Sequence, residues 1–231
     1  MSLCIVGNHS LDVLEGYARD HFSAVVDKDY KLDDFSNDVM YDQNTLGHIV
    51  RFVPKKESRE LSVVWPRLPS IKNFWDGSPL DYISHVVGHE GKNSLLSELV
   101  KQDLAVSLSS GPYERMQHTF SGFELSITLT EKGMAQYEEV IRLIFAQINK
   151  MKEEGPQQHI FDEEMKMSKI NFDYLIAKSS VKTSNSYAKR LNSWTRPENG
   201  DCKIEDILYK PYAYTKFRKE EIMQYLNLLT P

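Results

Sequence analysis

The stretch Thr119–Thr130, TFSGFELSITLT, constrains this chain more than any other. Phe123, Leu125, Ile127 and Leu129 alternate with Glu124, Ser126 and Thr128. Alternation with a period of two is the mark of a strand that buries one face and wets the other. At Thr130 the period changes. The hydroxyl is placed to cap a helix that runs to Gly155-Pro156, a pair that stops it, and Gly133 is an early weak point. A half-buried strand running into a long helix needs other strands beside it and helices over the same face. That is an α+β layer.

Partners for this strand are found along the chain. LAVSLSSG (Leu104–Gly111) reads as its antiparallel neighbour. HIVRFVP (His48–Pro54) and ELSVVWPRLP (Glu60–Pro69) are rich in β-branched residues and read as two more strands, the second ended by Pro66 and Pro69. LCIVG (Leu3–Gly7) reads as a short buried strand, followed by a helix from Ser10 in which Leu11, Leu14, Tyr17, Ala18 and Phe22 recur at helical spacing. The acidic segment Asp27–Asn44 reads as a surface linker. Leu80, Ile83, Val86 and Val87 share a helix face up to Gly88, and Leu95, Leu96 and Leu99 share another. A second long helix is expected over Gln157–Lys178, and the remainder is helical with loops. The expected architecture is an antiparallel or mixed sheet with helices packed on one face.

Composition sets the function classes aside rather than choosing one. A chain of 231 residues, 41% hydrophobic and 26% charged, builds a core without staples. A net charge of −5 gives no nucleic-acid footprint. No segment approaches a membrane span. Cys4 and Cys202 read as two thiols in a reducing compartment. The opening MSL reads as a start grafted onto a piece of a longer protein.

The chemistry-bearing stretch is SHVVGHEGKNSLLSEL, Ser84–Leu99. His85 and His89, one helical turn apart, share a face and could chelate zinc. A zinc hydrolase also needs a carboxylate base beside one histidine and a third ligand. HExxH puts the base after the first histidine, and HxxEH puts it before the second. Here the run is H-V-V-G-H, so Gly88 stands where the inverted motif has its base. Glu163 and Glu164 lie far downstream on a helix, where an inverted site finds its third ligand. Two readings of the histidines stay open: hydrogen-bonded, partly buried structural residues, or residues that touch a substrate. Gly88 and Gly91 at the helix end leave amides unpaired and allow another backbone to come close, which suits a docked peptide.

The chain resembles the insulysin and nardilysin branch of the M16 zinc metallopeptidases. The resemblance is carried by LCIVGNHSLDVLEGYARDHFS, IVRFVPKKESRELSVVWPRLP, YISHVVGHEGKNSLLSELVKQDLAVSL, ITLTEKGMAQYEEVIRLIFAQINKMKEEGPQQHIFDEE and the closing YLNLLTP. In that family a long chain carries four homologous α+β domains. The first holds HxxEH, and the second, which this sequence resembles, has lost it. The resemblance implies that residues 1–26 match the end of the preceding domain. Residues 27–231 would be the second domain without its closing strand, with LCIVG free to pair in the gap.

The same resemblance implies function. The second domain walls a closed chamber in a cytoplasmic peptidase and holds the N-terminal end of a peptide substrate as an added strand. That role falls on His85, Gly88, Glu90 and Leu108, with Glu90 pairing the peptide's α-ammonium. Ser84 and Ser110 stand where the family more often has glycine, and the loop SSGPYERMQH departs from its pattern. Zinc belongs to the parent enzyme's first domain, no cofactor is implied for this segment, and the partners are peptide substrates and the remaining domains. Some members bind polyanions near here, where Lys178, Lys182, Lys189 and Arg190 fall, although a solvated face accounts for those residues better. Two rivals remain: a purely structural assembly domain, and a small zinc peptidase using His85, His89 and Glu163 or Glu164.

Overall fold

A computed structural model describes residues 2–26, 28, 38, 41–42, 44–115, 120–176, 178–194 and 206–231. The chain divides into two compact units, Met1–Asp34 with Lys169–Ala213, and Phe35–Ser168 with Tyr214–Pro231.

The second unit contains the sheet. Strands β1 (Glu60–Pro69), β2 (Ala105–Arg115) and β3 (Phe120–Leu129) lie in the order β1-β3-β2, all antiparallel. Val63 and Ser110 flank Leu125, and Leu61 and Leu108 flank Ile127, so the alternation seen in β3 extends across the sheet. One face carries Trp65, Leu108, Phe123, Leu125 and Ile127, all buried. The other face is polar and wet, with Ser107 donating to Thr128 at 3.0 Å and Ser126 to Glu60 at 2.5 Å.

Helices cover the apolar face alone. They are α2 (Pro79–Val87), α3 (Leu95–Lys101), α4 (Glu131–Ala135), α5 (Tyr137–Glu154), α6 (Gln158–Asp173) and α9 (Lys219–Leu228). Leu80, Ile83 and Val87 of α2, Leu99 of α3, Ile144 and Ile148 of α5 and Ile222 and Leu226 of α9 close the core against the sheet. Each such side chain contributes roughly 1.5–3 kcal/mol through its removal from water. Ser78, Ser94 and Thr130 cap α2, α3 and α4 by accepting the amides of Asp81, Ser97 and Gly133. The C-terminal tail is tied in where Trp65 donates its indole N–H to the Thr230 carbonyl at 2.8 Å.

The first unit is helical among its described residues: α1 (Leu11–Phe22), the end of α6, α7 (Ser180–Trp194), α8 (Asp206–Tyr209) and a 3-10 turn at Lys210–Tyr212. Phe172 packs edge-on to Tyr209 at 5.3 Å.

Five expectations are corrected. Leu3–Gly7 forms no strand and is largely exposed, so it pairs with nothing in the sheet. His48–Pro54 likewise forms no strand, with Val50, Phe52 and Val53 at 81%, 81% and 95% exposure. An apolar pattern shows what a segment could bury, but a strand also needs a partner edge, and these two have none among the described residues. Pro66 does not end β1: the ladder shifts register between Trp65 and Leu68, and the proline sits in that irregularity, where no ladder amide is needed. The long helix after Thr130 is two helices that break at Gln136. The second long helix ends at Asp173 rather than Lys178. Cys4 is a half-buried free thiol, whereas Cys202 and most of the Asp27–Asn44 linker fall outside the described residues.

Candidate functional site

The site lies where the last turn of α2 meets β2. Pro79 at the first helical turn and the Ser78 cap start α2, and Gly88 ends it, donating its amide to Ser84 O at 2.8 Å. Ser84 donates its hydroxyl to the Ser110 carbonyl at 2.8 Å, and Ser110 returns a hydroxyl to the Ser84 carbonyl at 3.0 Å. This reciprocal clasp draws helix and strand together. A Cβ on Gly88 would lie 2.9 Å from Ser84 O and 3.0 Å from Ser110 Oγ, so glycine is what lets the clasp close. Strand β2 is an edge strand, and no described strand pairs with its outer side.

Of the sequence-predicted residues, His85 and Gly88 sit together at this corner. Leu108 is buried, 8% exposed, and pairs with Ile127, so only its backbone can serve an added strand. Glu90 is exposed in the turn after α2. Arg190 belongs to a local cluster in the first unit, over Tyr187 at 5.6 Å and Tyr212 at 5.9 Å, while Lys178, Lys182 and Lys189 are exposed.

The histidine pair faces α6. His85 and His89 have ring centroids 6.4 Å apart. Burial lowers the His85 pKa, with the Glu163 charge acting against this and His89 adding to it. A groove of about 250 Å³ is walled by His85, His89, Lys92, Gln147, His159 and Glu163. His159 and Lys92 were missed by sequence reasoning. The one available signal was the one-turn spacing of His159 and Glu163 on α6.

These residues do not fit a zinc centre. The Gly91 amide donates to His89 Nδ1 at 2.7 Å, which places the proton of the neutral ring on Nε2 and leaves that nitrogen no lone pair for a metal. Gly88 supplies no base. Among the described residues no three His, Cys, Asp or Glu side chains are arranged to hold a metal ion.

Glu164, next to Glu163, has a different setting. It is half-buried, and its Oε2, shut off from solvent, has no hydrogen-bond partner. Burial raises its pKa to about 7, the Tyr214 hydroxyl acting against this and the Asp81 charge reinforcing it. Tyr82 next to Asp81 accepts the Gln157 amide at 2.8 Å, fixing the start of α6 on α2.

Comparison with known proteins agrees with this picture of a peptidase fold without its catalytic centre. Residues 1–168 match the family model described as Peptidase M16 inactive domain. The chain is 32% identical over 235 residues to the A-factor-processing enzyme of Saccharomyces cerevisiae and 28% identical over 231 residues to the insulin-degrading enzyme of Drosophila melanogaster. Both comparisons cover 100% of this chain and 22% of the relative, so the chain spans about a fifth of the length of these relatives. The crystal structure of pitrilysin superposes with a TM-score of 0.76 at 19% identity, covering 97% of this chain and 23% of pitrilysin, and thereby shows the shared fold. A protease from Helicobacter pylori superposes at 0.55, with 18% identity over 96% of this chain and 50% of its own. No helix among the described residues is long and apolar enough to cross a membrane. With the fold, the histidine pair and the missing base in agreement, the chain belongs to the M16 peptidase family, in which it matches the inactive domain.

Proposed function

We propose that this chain is the second, non-catalytic domain of a larger cytoplasmic insulysin-like zinc metalloprotease, and that it holds peptide substrates without cleaving them. Zinc and the catalytic base would reside on the parent's first domain, and residues up to Val26 would complete that preceding domain. The observation that carries this reading is the open outer edge of β2 beside the glycine end of α2. An edge strand offers a row of backbone donors and acceptors to an extended peptide, and Glu90, exposed at the same corner, offers a carboxylate to its α-ammonium. The clasp between Ser84 and Ser110 leaves the peptide a shallow path over Gly88 rather than a deep one.

Fluorescence anisotropy with a labelled flexible peptide of about 20 residues tests this. Its length would span the strand edge with several residues on either side. Saturable binding that weakens on N-acetylation, and on Glu90→Gln, is the expected result. Absence of binding at high protein concentration would favour a purely structural role, in which the histidines only pack.

A further inference from the structure

The usable outer edge of β2 is shorter than the strand. The Leu129 amide donates to the Arg59 carbonyl at 2.8 Å, which continues the β1–β3 register and makes Arg59 and Leu129 a hydrogen-bonded pair of that ladder. Bonding direction alternates along a strand. Leu129, Ile127, Leu125 and Phe123 therefore turn their backbone groups to β1, and Thr128, Ser126, Glu124 and Gly122 turn theirs to β2. Their partners Ser107, Ser109, Gly111 and Tyr113 face inward, so Leu108, Ser110 and Pro112 point their backbone groups out at the free edge. These three positions are not equivalent. The Leu108 N–H and C=O meet no partner among the described residues. Ser110 keeps its N–H, but its carbonyl accepts the Ser84 hydroxyl at 2.8 Å. A carbonyl has a second lone pair, yet the end of α2 stands against this residue, since a Cβ on Gly88 would lie 3.0 Å from Ser110 Oγ. Pro112 has no N–H, and its ring fills the place where a paired strand would approach. On the other side the ladder shifts between Ala105 and Ser107, which bends the strand away from a straight partner.

We propose that the β2 edge holds a peptide by the backbone of a single residue seated opposite Leu108, and that the Ser84 hydroxyl sets this limit by occupying the Ser110 carbonyl. The inference rests on the peptide-holding reading above and narrows it. In an antiparallel approach one peptide residue both donates to the Leu108 carbonyl and accepts the Leu108 amide. The residue two places nearer the peptide's N-terminus can accept the Ser110 amide, but its own N–H finds the carbonyl taken. Further along, Pro112 offers no donor at all. The edge therefore selects peptides by one backbone N–H rather than by a run of them, and refuses a proline opposite Leu108. It also gives a long strand, such as β2 of a second copy of this chain, too few places to pair.

The test uses the full 231-residue chain and a labelled flexible peptide with a free N-terminus. Its backbone N–H groups are replaced one at a time by an ester oxygen, which removes the donor without adding bulk. Across the first six residues, one ester is expected to weaken binding roughly tenfold and every other less than about threefold, since only one donor meets a carbonyl that is otherwise unpaired. Ser84→Ala uncovers the Ser110 carbonyl. It should bind the all-amide peptide about threefold tighter, and a second sensitive position should appear two residues nearer the peptide's N-terminus. Ser110→Ala breaks the other half of the clasp yet keeps the Ser84 hydroxyl on the carbonyl, so whatever its affinity it should gain no second position. Sensitivity at two or more alternate residues in the unsubstituted chain overturns the limit and leaves peptide holding intact. A Ser84→Ala profile identical to that of the unsubstituted chain overturns the part given to Ser84. Esters without effect at every position show a peptide held by its side chains, and overturn the proposal. No binding of any peptide overturns both readings.

Discussion

At the scale of single residues, burial decides what two adjacent carboxylates do. Glu163 lines the groove and faces His85, while Glu164, one position on, is half-buried with a sequestered oxygen that has no partner. Because burial raises the Glu164 pKa to about 7, the folded chain holds this proton more tightly than the unfolded chain. Its contribution to stability is therefore best below the ordinary carboxylate range, is lost as pH rises from about 4.5, and falls no further above about 7. Allowing for residual solvent contact, the penalty at pH 8 is roughly 1–2 kcal/mol. Glu164→Gln removes it. Thermal melts from pH 5 to 8 should show the variant gaining a few degrees over the parent at the alkaline end, about 2–4 °C per kcal/mol at this chain length, and losing that advantage near pH 5. The sequence showed two glutamates on one helix with equal claim. It could not show that only one of them meets Tyr214 and Asp81, because those contacts join segments distant in the chain.

At the scale of elements, the clasp and the close approach at Gly133 each join two elements through small residues. Ser84 and Ser110 exchange hydroxyl-to-carbonyl bonds between α2 and β2. Ser84→Ala and Ser110→Ala should each cost about 1 kcal/mol. A double-mutant cycle by denaturant unfolding should give a coupling of at least about 0.5 kcal/mol, since the two hydroxyls share one contact; additive losses would mean that each bond acts alone. Gly133 lies within α4, where a Cβ would sit 1.8 Å from the Leu104 carbonyl, so only glycine lets α4 approach the start of β2 this closely. Gly133→Ala should therefore destabilise by about 2 kcal/mol or more, despite alanine's better helix propensity, as seen by the urea midpoint. These cases mark what was legible. The alternation over Phe123–Leu129 located β3, and the pattern changes around it located β2 and most of α2, α3 and α5. Local periodicity reports a face to be buried, and so it read Leu3–Gly7 and His48–Pro54 as strands although they lack partner edges. Gly133 was read as a weak point, but the helix breaks at Gln136, and the reason for the glycine, a carbonyl almost thirty residues back, was not readable. His85 and His89 were visible from their spacing. The approach of His159 to them follows from where α6 packs, which no local pattern encodes.

At the scale of the whole molecule, the fold keeps the frame of a zinc peptidase and has closed its centre. The position of the missing base is occupied by a glycine whose Cβ would meet Ser84 O at 2.9 Å and Ser110 Oγ at 3.0 Å. The Gly91 amide occupies His89 Nδ1 at 2.7 Å. The packing around Gly88 thus leaves no room for a base, and a substitution at that one position should fail. Gly88→Glu recreates the H-x-x-E-H order in sequence, and its backbone, at φ −79° and ψ 0°, tolerates a side chain. The crowding against the clasp should instead cost about 1–3 kcal/mol. The variant should take up no stoichiometric zinc by elemental analysis, and should show no chelator-sensitive cleavage of a fluorogenic peptide. Adding Ser110→Gly relieves the contact with Ser110 Oγ but not that with the Ser84 backbone carbonyl and forfeits the clasp, so it should recover little stability and still give no hydrolysis while His89 remains turned to Gly91. Zinc-dependent cleavage by the single variant would mean that the centre is merely short of one carboxylate.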